Sequence, residues 1–243
     1  MGVKQIVGAI IVIILIIILL RYLFSDVNTL SGLMSGKTMQ KIEPDGLESG
    51  GGSSNFSYSI WLYIDDWNYR YGDSKMLFGR MAGDIVDVAA QPCPSLALGS
   101  AKNNLVVSTT VYDDALNASS SAENFQVQTF VVDNIDIQKW VNVTVATHGR
   151  TMDIYLDGKL VRTCILNGVP KINTAAPVYV TPNGGFSGWT SKFQYWNDTL
   201  NPQEVWNIYA RGYGGSWLGG LLGTYSVKLS LMEGDTEKSS LEI

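Results

Sequence analysis

Met152-Asp153-Ile154-Tyr155-Leu156-Asp157-Gly158-Lys159-Leu160-Val161 is the stretch on which the fold turns. Two apolar runs are separated by Asp157-Gly158, a dipeptide that accepts positive φ at both central positions of a two-residue turn. That is the strongest short-range signal for a β-hairpin. The spacing therefore predicts a strand over 151–157 and a second over 160–167.

The same character extends in both directions. Phe56, Tyr58, Ile60, Leu62 and Ile64 alternate with Ser57, Ser59, Trp61 and Tyr63, the period-2 pattern of a strand with one buried face. Further strands are predicted at 75–81, 95–99, 104–112, 125–132, 139–148, 178–181, 187–196 and 225–232. Turn residues separate them, such as Asn103-Asn104, His148-Gly149 and Pro182-Asn183-Gly184-Gly185. About eleven strands without intervening helices define an all-β, two-sheet antiparallel jelly-roll sandwich. One short helix interrupts the series. Asn201 is a good N-cap, Pro202 stands at the first helical position and Glu204 completes a capping box. Val205, Ile208 and Tyr209 give an apolar stripe, and Gly212 is a natural stop.

Three stretches in order resemble the concanavalin A-like lectin/glucanase, or laminin-G-like, superfamily. They are Phe56 to Ile64, then Trp140 through the Asp157-Gly158 hairpin to Val161. The third comprises Phe186-Ser187-Gly188-Trp189, Phe193 to Asn197, and Leu200 to Val205. The resemblance covers about residues 56–212. It implies a jelly roll of the kind that serves lectins, glycosidases and plain adhesion modules, so the fold does not name the activity.

Residues Ile6 to Leu20 form an apolar run without a polar side chain. As a helix, Val3 to Phe24 would be roughly 33 Å long, enough to cross a hydrocarbon core of ~30 Å. The run ends in Arg21-Tyr22-Leu23-Phe24-Ser25-Asp26 and offers no small-residue cleavage site, so a retained membrane anchor is expected rather than a signal peptide. Basic residues nearly balance on the two sides, which leaves the orientation open. The expected organisation is an anchor at 1–24, a Gly/Ser-rich tether at 25–55, the jelly roll at 56–232 and a polar tail at 233–243. Anchor, tether and sandwich together are similar to the membrane-anchored minor capsid proteins of large icosahedral DNA viruses. That resemblance implies a virion location, with a lipid bilayer and a capsid or other protein layer as partners.

Net charge is −5. Residues 1–41 carry four basic groups against Asp26, which leaves −8 for residues 42–243. An acidic domain without basic clusters argues against nucleic acid. Cys93 and Cys164 allow one disulfide without demanding it, two buried thiols being the other reading. Four sequons occur, at Asn55, Asn117, Asn142 and Asn197.

Enzymatic chemistry finds little support. A glycosidase needs two carboxylates flanking one bond. The nearest pair, Asp153 and Asp157, stands four residues apart, roughly 13 Å along a strand, and Asp157 belongs to the turn. His148 is the single histidine and lies at a strand end. No cofactor is expected. Calcium has loop candidates in Asp65-Asp66, Asp84, Asp87 and Asp113-Asp114, but they form no continuous ligand pattern. For recognition, Trp67, Tyr69, Arg70 and Tyr71 place an aromatic at every second position of one loop. This patch is expected to contact a protein partner or a glycan, or to continue the strand.

Overall fold

The inner residues of the Phe56–Ile64 alternation, with those of its neighbours, build one core between two antiparallel sheets. The computed structural model describes residues 28–47, 54–81, 91–112, 125–214, 228–233 and 236–242, together with Val12. It divides into two units, Asn28–Tyr213 and a second made of Met1–Val27 with Gly214–Ile243.

Within Asn28–Tyr213 the strands are β1 (Thr29–Ser31), β2 (Met34–Ser35), β3 (Gln40–Ile42), β4 (Phe56–Asp66), β5 (Lys75–Arg80), β6 (Ser95–Leu98) and β7 (Asn104–Tyr112). They continue with β8 (Phe125–Asp133), β9 (Trp140–His148), β10 (Thr151–Leu156), β11 (Lys159–Ile165), β12 (Val178–Val180) and β13 (Ser187–Trp196), and helix α1 (Pro202–Ala210) follows. A seven-stranded sheet runs β1-β13-β4-β9-β10-β11, with β2 also on β13. A six-stranded sheet runs β3-β12-β5-β6-β7-β8.

The core is aromatic at its centre. Tyr58 stacks on Phe78 at 5.3 Å and on Phe193 at 5.9 Å, and all three are fully buried with Ile60, Leu62, Leu77, Leu96 and Ile154. The predicted hairpin forms as read: Asp157 and Gly158 adopt φ of 48° and 75°, and Leu156 pairs with Lys159. The predicted helix also forms. Asn201 accepts from the Glu204 amide at 3.0 Å, and Glu204 accepts from the Asn201 amide at 2.7 Å.

Two boundaries need correction. Residues 28–47 are part of the sandwich rather than a tether: β1 and β2 extend the seven-stranded sheet beside β13, and β3 pairs with β12. Strands of two or three residues are too short to show a period. They are held by ladder pairing and by single apolar side chains, Leu30 of β1 packed against the core and Ile42 of β3 buried in it. The expected polar tail is likewise half of a hairpin, β14 (Lys228–Glu233) with β15 (Thr236–Glu242), in a sheet of its own.

Cys93 and Cys164 are both buried free thiols. Cys93 lies 3.6 Å from the Thr109 hydroxyl beside the six-stranded sheet, whereas Cys164 stands on β11 of the other. Burial pushes the Cys93 thiol up to about 12 and raises Cys164 as well, so neither is a ready nucleophile. The anchor at 3–24 lies, apart from Val12, outside the described residues. Among those residues no helix is long and apolar enough to cross a membrane.

Candidate functional site

The outer face of the seven-stranded sheet changes character along its strands. At one end it is covered by α1. Ala146, Tyr155, Leu200, Val205 and Ile208 form a second buried cluster there. Small polar residues of β4 and β9 lie buried on the same face. Ser57 accepts from the Leu200 amide and donates to the Asp198 carbonyl, both at 2.9 Å. Ser59 accepts from Asn142 Nδ2 and from the Thr144 hydroxyl, both at 3.0 Å. The sequon at Asn142 is therefore sealed under the helix, fully buried.

Where the helix ends, aromatic side chains take over. Trp189 on β13 is directly opposite Tyr63 on β4, and Tyr63 is directly opposite Trp140 on β9. Neighbours in register on one face stand about 4.8 Å apart, so three adjacent strands present one lateral aromatic row. Tyr213, from the segment after α1, lies over this face and stacks on Trp140 at 4.5 Å with an interplanar angle of 12°. Trp61, one step nearer the helix, is buried beneath Tyr209 at 5.7 Å and meets Tyr213 edge-on at 6.0 Å. Trp189 is 48% exposed and Tyr213 41%.

Two backbone devices set this geometry. Gly188 has φ of 151°, and a Cβ there would stand 1.9 Å from the Tyr63 carbonyl oxygen, so only glycine lets β13 approach β4 beside Trp189. In β13 the register shifts between Ser191 and Gln194, and Lys192 adopts φ of 43°. This bulge adds one residue, and both Ser191 and Lys192 reach the segment after α1. Ser191 donates to the Tyr213 carbonyl at 2.8 Å, and the buried Lys192 ammonium donates to the Gly212 carbonyl at 2.9 Å. The last turn of α1 has no basic residue of its own, so Lys192 supplies the cation that a helix C-terminus favours, and Tyr213 is held against Trp140.

Polar groups border the row. Asp65 follows Tyr63 by two positions on β4, and Gln138 Nε2 reaches the Asp65 carbonyl at 3.5 Å. Beside Trp140, Lys139 lies 2.5 Å from Asp136 and 3.9 Å from Asp157. The Asp136 carboxylate holds that ammonium above its ordinary range.

Three members of the sequence-predicted patch make contacts within the fold. Trp67 packs against the main core, with Lys75 Nζ 4.9 Å from its ring centre. The Tyr69 hydroxyl donates to the Gly184 carbonyl at 3.0 Å, and Arg70 bonds the Asn183 carbonyl and Asp73. Tyr69 and Arg70 fasten the β4–β5 loop to the β12–β13 turn. Only Tyr71 is left outward, 63% exposed. Trp61 and Tyr63 fall at the outward alternate positions of β4, and nothing local in the sequence sets Trp140 and Trp189 beside them.

Asp153 accepts from the Thr163 hydroxyl at 2.6 Å, and Asp157, in the hairpin turn, accepts from the Asn142 amide at 2.8 Å. His148 is exposed at the end of β9. Among the described residues no group of three acidic, histidine or cysteine side chains is placed to hold a metal. Asp84, Asp87, Asp113 and Asp114 lie outside them.

A two-sheet sandwich carrying an aromatic face defines a lectin-like class of domain. The family model described as the concanavalin A-like lectin/glucanases superfamily, a laminin G type, matches residues 39–206, and the chain belongs to that family. No curated protein matches the chain. Among solved structures it is similar to the botulinum neurotoxin serotype G binding domain, with 15% identity, a TM-score of 0.46, and coverage of 73% of this chain and 46% of that one. It is also similar to the serotype D ligand binding domain in complex with N-acetylneuraminic acid, with 14% identity, a TM-score of 0.48, and coverage of 73% and 45%. The chain thus spans less than half the length of those domains, and likenesses this distant carry no argument about its ligand.

Proposed function

We propose that this chain is a non-catalytic binding module, held at a bilayer by residues 3–24, whose aromatic row takes a saccharide. One observation carries the reading: Trp189, Tyr63 and Trp140 stand in register on three adjacent strands, Tyr213 stacks on Trp140, and Trp189 and Tyr213 are both partly exposed. Aromatic faces stack on the C–H faces of sugar rings, and side chains fixed by a sheet lose little entropy on binding. Asp65, Gln138 and Ser35 at the margin offer hydrogen-bond partners for hydroxyls. Among the described residues the nearest carboxylate pair on one strand, Asp153 and Asp157, is engaged in structural hydrogen bonds, which supports a non-catalytic reading. Tethering would confine the module to two dimensions and raise its effective concentration, so weak contacts would suffice.

A glycan array probed with the full chain in detergent micelles tests this, beside the Trp189→Ala variant. Binding by the parent and its loss in the variant are expected; silence of both refutes the saccharide. Resistance of the full chain to alkaline carbonate extraction is expected of the anchor, and release into the supernatant refutes it. The second reading is a minor capsid protein joining an internal membrane to a shell. The apolar run at 6–20 favours it, and exposed Trp and Tyr are also the residues of protein hot spots. Co-purification with capsid together with a silent array would select it.

A further inference from the structure

Resting on the reading of the row as a saccharide platform, we infer that its ligand is an uncharged saccharide rather than a sialylated, uronic or sulfated one. The charges around the row lead to this. Asp65 lies on the same outer face as Tyr63, two residues and about 7 Å further along β4. Its carboxylate is exposed. Asp66 follows it and accepts from the Asn68 amide at 2.9 Å. At the Trp140 end, Lys139 is the adjacent cation, and Asp136 and Asp157 share it, two carboxylates to one ammonium.

Among the described residues, the other cations near the row each have a contact of their own. Lys192 is buried and donates to the Gly212 carbonyl. Lys37, two residues beyond Ser35 at the Trp189 end, stands 4.7 Å from the Tyr69 ring centre. Arg211, two residues before Tyr213, has a partner. Tight recognition of a carboxylate or sulfate wants an arginine fork or an unshared ammonium. Stacked on this row, an anionic sugar would instead face Asp65 and the surplus carboxylate beside Lys139. A neutral sugar meets no such repulsion, and its hydroxyls can donate to those same oxygens.

Calorimetric titration of the full chain in micelles with matched oligosaccharides, identical apart from one terminal sialic acid or sulfate, tests the inference. The neutral member is expected to bind more tightly by roughly threefold or more at low salt, as one unit charge about 7 Å from another in water implies. Added salt should narrow the gap, and Asp65→Asn, an exposed change that leaves the fold intact, should narrow it too. Tighter binding of the anionic member, or equal binding at every salt concentration, overturns the inference and leaves the platform standing. Binding of neither member overturns the platform and the inference together.

Discussion

Strand β4 has two faces that obey different rules. Inward, Phe56, Tyr58, Ile60, Leu62 and Ile64 are all buried, and each packs into a core that tolerates no gap. Outward, the series Ser57, Ser59, Trp61, Tyr63, Asp65 grades from sealed to open. Ser57 and Ser59 satisfy backbone and side-chain partners beneath the helix, Trp61 is capped by Tyr209, Tyr63 joins the aromatic row and Asp65 is in water. The inner face is uniform because one requirement, dry packing, governs every position. The outer face is graded because α1 covers only part of it, and the aromatic surface available to a ligand begins where that cover stops.

Phe78→Ala breaks the inner face and should produce the largest effect. It removes a fully buried ring between Tyr58 and Phe193, at a cost of about 3–5 kcal/mol, read as a large fall in melting temperature. Trp67→Ala comes next, with about 2 kcal/mol lost by thermal unfolding, because this residue packs on the core from the loop. A change confined to binding, with no loss of stability, would return Trp67 to the contact surface.

Lys75→Met should act in the opposite direction. Lys75 is 1% exposed, its Nζ has no hydrogen-bond partner, and it pairs across β5–β6 with the core residue Leu98. Burial, reinforced by the Arg70 charge, lowers its pKa below the ordinary lysine value of 10.5. The unfolded chain therefore holds that proton more firmly. The cost is fully present below the folded-state pKa and is relieved as pH rises through it toward 10.5. The methionine variant should melt higher at neutral pH, by about 1 kcal/mol, and its advantage should shrink in alkaline solution. The smallest effect belongs to Tyr71→Ala, within about 0.5 kcal/mol of the parent in stability, because the ring projects into solvent.

The sandwich was legible because its strands are long and half-buried, and because the Asp157-Gly158 turn and the Asn201 cap are local chemistry. What failed to show were features made by distant segments. Strands β1 to β3 carry too few residues for a period, and the bulge at Lys192 has meaning only beside the end of α1. The aromatic row is the clearest case. Tyr63, Trp140 and Trp189 are scattered over more than 120 positions of sequence, and only the register of β13, β4 and β9 makes them neighbours. The 67–71 loop is the converse, since its aromatics are adjacent in sequence but are turned by the fold to different tasks.

The central claim is that recognition belongs to the sheet face and not to that loop. Binding isotherms of a neutral oligosaccharide to the full chain, to Trp189→Ala and to Tyr71→Ala decide it most directly. Affinity should fall about tenfold or more for Trp189→Ala, the loss of one stacking partner, and stay at the parent value for Tyr71→Ala. Loss of affinity in Tyr71→Ala with Trp189→Ala unaffected would contradict the account.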